Sequence, residues 1–379
     1  MLFSYVTYEV IWWALIGTVL ILYAWTAGFD MGIGSLLPFI ARTNTERRVL
    51  INVIGPTWDG NQVWLIFGGG AIFAVWPVVY ATVFSGFYIA MLLVLWTLFL
   101  RPVGFEYRAK IKNTHWQSTW DWCLFVGSTV PAIVIGVAFG NLLQGIPMHF
   151  TDDFRPFYDG TFWQLLNPFA VLVGIVSWSL FITHGANLLL LRTDGIIYQR
   201  CQVASRLGST VFLLSFIGAG IWIAGGLLGY QLIYSPVDPQ AQFFQAIVKT
   251  VPAGLLQNYT LHHWMVLAPL FGIFGALMVF AATFIRRTPL PFIGSMLMAV
   301  GAILTFGFSL FPFIVPSSTM PNQSLTVWNA ASGIYSLAAL FWVALFVLPT
   351  IGFYTLWVYR KMWSTITTDT IDSRSKELY

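Results

Sequence analysis

The chain reads as a succession of long apolar runs separated by short polar stretches. Runs of membrane-spanning length fall near residues 9–28, 57–78, 81–100, 122–143, 163–184, 209–230, 264–285, 291–313 and 334–358. A helix needs about 20 mostly apolar residues to cross a hydrocarbon core of ~30 Å, so the pattern predicts nine transmembrane helices. No loop between them is long enough to fold by itself. The expected fold class is an all-α polytopic membrane protein, one integral-membrane domain over residues 1–379.

One run is too long for a single span. Apolar sequence extends from Val49 to about Tyr80, which at ~1.5 Å per residue overshoots the membrane. Pro56 is the expected divider, because it lacks an N–H and clashes with the preceding turn. The second helix then starts near Thr57 and reaches Trp76-Pro77. It carries Trp58-Asp59-Gly60-Asn61-Gln62-Val63-Trp64, a carboxylate, two amides and two indoles inside apolar sequence. Asp59 falls near one membrane face, and Gln62, three residues on, shares its side of the helix.

Composition agrees with the hydropathy pattern. The chain is 58% hydrophobic and 8% charged, against a charged fraction of about 25% in soluble domains. The net charge of +4 could suggest nucleic acid, but the basic residues are scattered through short loops and form no stripe. They read instead as topology signals. Of the 18 Lys and Arg, all but Arg155 and Lys249 fall in alternate loops or the tail: Arg42, Arg47 and Arg48; Arg101, Arg108, Lys110 and Lys112; Arg192, Arg200 and Arg206; Arg286 and Arg287; Arg360, Lys361, Arg374 and Lys376. Cytoplasmic loops hold the basic excess, which places the N-terminus outside and the C-terminus in the cytoplasm. The charge-poor start lacks a basic n-region and an A-x-A site, so the first segment is expected to be a retained helix. Cys123 and Cys201 show neither metal-ligand spacing nor a pairing pattern.

Acids inside a membrane segment are costly, at least about 2.5 kcal/mol at mid-bilayer, and need a partner, an aqueous route or a function. Asp30 is expected to end the first helix among glycines, as an interfacial cap or a functional acid. Asp59 is the best-placed proton carrier, with dipole stabilisation at a helix N-terminus as the plainer reading. Arg101 and Glu106 flank Pro102 and read as an interfacial anchor with solvated charge, or as functional groups. Asp121 opens the fourth helix in Trp120-Asp121-Trp122, where capping is the ordinary role. His184 ends the fifth helix without a second ligand at helical spacing, and His262 and His263 point different ways. There is no CxxCH, no phosphate loop and no nucleophile triad. Gly68-Gly69-Gly70 reads as a close-packing surface.

Taken together, Gly28-Phe29-Asp30-Met31-Gly32, Trp58 to Leu65, Phe84-Ser85-Gly86-Phe87-Tyr88, Arg101 to Arg108, Gly140-Asn141-Leu142-Leu143-Gln144-Gly145, and Phe311-Pro312-Phe313 through Pro316-Ser317-Ser318-Thr319 resemble subunit II of the cytochrome bd ubiquinol oxidases. The resemblance covers the whole chain. It implies two four-helix bundles plus one further helix in a heterodimeric oxidase of the bacterial inner membrane, which oxidises quinol, reduces oxygen to water and generates proton motive force. Heme b and heme d would be ligated by subunit I, with no heme ligand and no metal ligand in this chain. Other partners it implies are small accessory transmembrane subunits, the lipid bilayer and a bound ubiquinone, but no nucleic acid. By the same resemblance Asp59 and Glu106 stand on a proton route, and Asp30, Arg101 and Asp121 support heme assembly. Ala27 and Asn329 stand where relatives often carry acids. A proton-coupled secondary transporter and a passive scaffold subunit are the alternative readings.

Overall fold

The computed structural model describes residues 2–234, 246–285, 288–367 and 371. Arg286, Arg287, Arg374, Lys376 and the closing Glu377-Leu378-Tyr379 lie outside the described residues. The helices are α1 (Tyr5–Ile40), α2 (Asn44–Ile54), α3 (Trp58–Asn61), α4 (Val63–Val75), α5 (Pro77–Gly86), α6 (Tyr88–Tyr107), α7 (Thr114–Gln144), α8 (Pro168–Arg192), α9 (Gly195–Ala224), α10 (Gln257–Leu261), α11 (Leu267–Ala282), α12 (Leu290–Leu310) and α13 (Ile334–Met362). Three antiparallel strand pairs join them: β1 (Met148–Phe150) with β2 (Pro156–Tyr158), β3 (Leu228–Tyr234) with β4 (Ile247–Pro252), and β5 (Phe313–Val315) with β6 (Leu325–Thr326).

Among the described residues eight helices are long and apolar enough to span a membrane, or nine if Trp58–Val75 and Pro77–Gly86 form one bent span. The bend between those two segments is 119°. Trp58–Val75 alone measures about 27 Å at the helical rise, so α5 adds nothing to the crossing. It turns aside and packs on β2 and β5, where Trp76 Nε1 donates to the Val327 carbonyl at 3.2 Å.

Several boundaries differ from the hydropathy reading, for identifiable local reasons. The first helix runs on to Ile40 rather than stopping near residue 28, because Gly28, Gly32 and Gly34 serve helix contact instead of a turn. The third span is Tyr88–Tyr107 rather than 81–100. The fourth starts at Thr114, capped by Asn113, whose side chain accepts from the His115 and Trp116 N–H groups. The sixth begins at Gly195, behind the Asp194 cap, and ends at Ala224, so most of the stretch left between the expected spans 163–184 and 209–230 is helical. The all-α expectation also missed the strand pairs, which are too short to leave a periodic signal.

α1 is the central column. It packs on α4, α7, α8, α12 and α13, while α8, α9, α11 and α12 neighbour one another and α6 lies on α7. Glycine permits the closest crossings. A Cβ on Gly32 would lie 1.8 Å from the Phe181 carbonyl oxygen of α8, and one on Gly301 would lie 2.1 Å from the Gly272 nitrogen of α11. Both clashes are with backbone, which cannot rotate away. Gly32→Ala is therefore expected to destabilise the folded chain by roughly 1–3 kcal/mol through overpacking. Gly17→Ala, with open space around it, should leave stability unchanged or slightly raised. Midpoints of thermal unfolding in detergent, followed by size-exclusion fluorescence, would compare the two.

Candidate functional site

The charges divide by burial into two sets. Asp30, Arg101 and Asp121 are buried, each no more than 1% exposed, whereas Asp59 and Glu106 are exposed on this chain. None of the three buried groups is the helix-end cap or interfacial anchor that the sequence suggested. Asp30 lies inside α1, Asp121 lies about two turns into α7, and Arg101 lies inside α6, which continues past Pro102. Asp59 is likewise not buried, contrary to expectation, because α3 is a single short turn that holds Trp58 inward and leaves the next residue on the surface.

Asp121 is held by two arginines. Arg108 Nε reaches Oδ1 at 2.5 Å and Arg108 Nη2 reaches Oδ2 at 3.2 Å, while Arg47 Nη1 donates to Oδ2 at 2.7 Å. Arg108 also donates to Asn44 Oδ1 at 2.9 Å. A carboxylate taking a forked guanidinium plus a second donor has its lone pairs satisfied, the condition under which buried charge is tolerable. The cluster locks α2, the end of α6 and the start of α7 together.

A second ion pair lies at the same end of the molecule. Glu46 Oε2 accepts from Arg200 Nη1 at 2.8 Å and from the Arg42 N–H at 2.7 Å, while its own N–H donates to Thr43 in a capping box. Burial pushes the Glu46 carboxyl up, but the Arg42 N–H, the Arg200 guanidinium and the Thr43 N–H outweigh it and hold the group below the usual carboxylate range. Arg192 closes this end by donating to the carbonyls of Val53, Met362 and Ser364. The basic residues read as topology signals are thus also the groups that tie the helix ends.

Asp30 and Arg101 are arranged differently. Asp30 Oδ2 accepts from Asn61 Nδ2 at 2.8 Å, and Asn61 Oδ1 accepts from the Tyr359 hydroxyl of α13. Asp30 Oδ1 and all three guanidinium nitrogens of Arg101 are buried without a hydrogen-bond partner in the protein. The two charges act on each other and on Tyr23, and Arg101 lies 6.0 Å from the Trp58 ring centroid. Trp58 stacks on Phe105 at 5.0 Å, so the segments bearing the exposed Asp59 and Glu106 run side by side.

Asn61 and Tyr359 were not picked out from the sequence as partners of Asp30. The available signal for Asn61 was an amide in the same motif as Asp59; Tyr359 carried none, since its neighbour is nearly 300 residues away in the chain. Glu9 was also missed. It is 2% exposed, with an unpartnered Oε1.

His184 lies within α8 rather than at its end. Nδ1 meets Ser295 Oγ at 2.8 Å and Nε2 meets the Trp25 carbonyl at 2.9 Å, and the ring stacks on Phe292. Both nitrogens are engaged, which gives it a packing and hydrogen-bonding role. Among the described residues no group of three or more His, Cys, Asp and Glu could hold a metal ion. Asn329 explains its own amide: it accepts from the Thr326 N–H and hydroxyl and donates to the Ser324 carbonyl. A carboxylate could not make the last bond.

A family model described as cytochrome bd terminal oxidase subunit II matches residues 8–362. The chain belongs to this family. It is 46% identical over 99% of its length, and 100% of the relative's, to cytochrome bd-I ubiquinol oxidase subunit 2 of Escherichia coli strain K12. It is 33% identical to cytochrome bd ubiquinol oxidase subunit 2 of Bacillus subtilis, over 92% of this chain and 94% of that one. A solved structure described as bd oxidase from Geobacillus thermodenitrificans superposes with a TM-score of 0.67 at 15% identity, covering 93% of this chain and 98% of the other; at that identity the likeness establishes the fold. The chain is a multi-pass protein of the bacterial inner membrane and a subunit type of a respiratory oxidoreductase, without a complete active site of its own.

Because Asp121 is the carboxylate that the buried Arg108 and the partly exposed Arg47 share, Asp121→Asn is expected to cost about 3–5 kcal/mol, the usual penalty for breaking a buried ion pair from one side. The readout is the amount of folded chain recovered from membranes. A loss no larger than that of an exposed control such as Asp153→Asn would mean the cluster is not holding these helix ends.

Proposed function

We propose that this chain is the subunit II of a quinol:oxygen oxidoreductase whose hemes b and d are ligated by a larger subunit I. Family membership over residues 8–362 carries the reading. The engagement of both His184 nitrogens supports placing the heme ligands in the partner. The helix neighbours support one bundle of α1, the α3–α4 span, α6 and α7, a second of α8, α9, α11 and α12, and α13 as the further helix. The basic ends described above support an N-terminus in the periplasm and a C-terminus in the cytoplasm. The family match leaves the secondary-transporter alternative without support.

The exposed acids acquire a role when the partner is added. Asp59 and Glu106 sit at the ends of α3 and α6 beside an apolar surface that includes Leu65, Ile66, Phe99 and Val103. Gly69 and Gly70 have nothing within 4 Å of a built Cβ, and small residues let a second helix approach closely in a membrane. Subunit I covers this face, and the two carboxylates then line a route by which protons enter from the cytoplasm. Asp30, Arg101 and Asp121 act indirectly, by fixing the helices against which the heme subunit assembles.

Co-purification tests the pairing. Heme b and d bands in a reduced-minus-oxidised spectrum should appear when a larger partner co-elutes with the tagged chain, and should be missing from the chain expressed alone. Hemes on the isolated chain would refute the assignment of ligands to the partner. For the proton route, Asp59→Asn should lower quinol oxidase turnover and proton uptake at least about tenfold while heme content stays normal, since a proton relay contributes about 10²–10⁴ in rate. Unchanged turnover in the fully hemylated variant would favour the passive-scaffold reading.

A further inference from the structure

Arg101 poses the sharpest accounting problem in the molecule. It is 1% exposed, lies within a membrane-spanning helix, and offers three guanidinium nitrogens with no protein acceptor in reach. Asp30, whose charge acts on it, is fully buried, keeps Oδ1 without a donor, and forms no direct salt bridge with it among the described residues. A buried charge left in that condition is strongly destabilising. Both side chains are already enclosed by this subunit, so a side chain or lipid from outside cannot reach them without displacing the wall. Only something small, able to donate to a carboxylate and accept from a guanidinium, satisfies both.

We infer that ordered water links Arg101 to Asp30 Oδ1, so that the two form a solvent-bridged charge pair inside this subunit. Water has the required duality, since each molecule accepts from Arg101 and donates to Asp30 Oδ1; a buried water typically makes about three such bonds. A chloride ion would meet the guanidinium but be repelled by the carboxylate. One short turn, α3, carries a neighbour of each charge: Arg101 lies 6.0 Å from the Trp58 ring centroid, and Asp30 takes its hydrogen bond from Asn61. The bridge is independent of whether Asp59 carries protons.

A cryo-EM map of the intact wild-type complex at about 2 Å resolution tests it directly. Expected are one or more peaks at hydrogen-bonding distance, ~2.7–3.2 Å, that link an Arg101 nitrogen to Asp30 Oδ1. Direct contact of the two side chains without intervening density would overturn the inference. So would a single peak on Arg101 out of reach of Asp30 that strengthens when bromide replaces chloride, which would mark an anion. A second measurement examines the pairing: Asp30→Asn and Arg101→Gln should each lower the yield of assembled complex at least about tenfold, because each strands a buried charge. The double variant should recover to within about threefold of wild type. A double variant as poor as the worse single one would show that the residues act separately.

Discussion

Charge cannot be left unsolvated in hydrocarbon, and that constraint fixes how this bundle is put together. Asp30 sits in the last third of the central helix, and its surroundings come from three other parts of the chain: Asn61 from the broken second span, Tyr359 from the last helix, and Arg101 from α6. α1 also approaches α8 at van der Waals limits through Gly32 and Gly185. The polar and the close-packed faces of one helix thus have opposite requirements. Helical periodicity separates them, with Gly28 and Gly32 turned to α8 and the carboxylate turned to Asn61 of α3.

The two ends of the molecule solve a different problem. Helix termini leave backbone groups without intrahelical partners. At one end, arginines do the work: Arg192 and Arg200 donate to carbonyls, and Arg47 and Arg108 share Asp121. At the other, strand pairs and side-chain links take over, as where Ser317 Oγ donates to the Met148 carbonyl and Tyr230 to the Gln144 carbonyl. The same basic residues that bias membrane topology are therefore structural at the end where they gather.

Hydropathy located the spans well, because burial in lipid acts on composition over some twenty residues and does not depend on what each helix touches. It failed where tertiary contact decides. The continuation of α1 past Gly28, the 119° bend at Trp76 and the shift of the sixth span to Gly195 depend on neighbours distant in sequence. Asp30, Arg101 and Asp121 were legible as unusual, since charge in apolar sequence needs a reason; of the two readings given for them, the cap or anchor does not fit their places inside the helices. Capping is a local property visible from adjacent residues, whereas the partners of Asp121 lie 13 and 74 residues away.

The contrast between buried and exposed acids also bears on how the work is divided between subunits. A buried pair is set by this chain before any partner arrives, so it can shape the fold but is poorly placed to exchange protons with a neighbour. Asp59 and Glu106 have the opposite character: they are exposed on this chain, on segments joined by the Trp58–Phe105 stack. The exposed acids are therefore the ones an incoming surface can reach, while the buried ones belong to the fold of this chain itself.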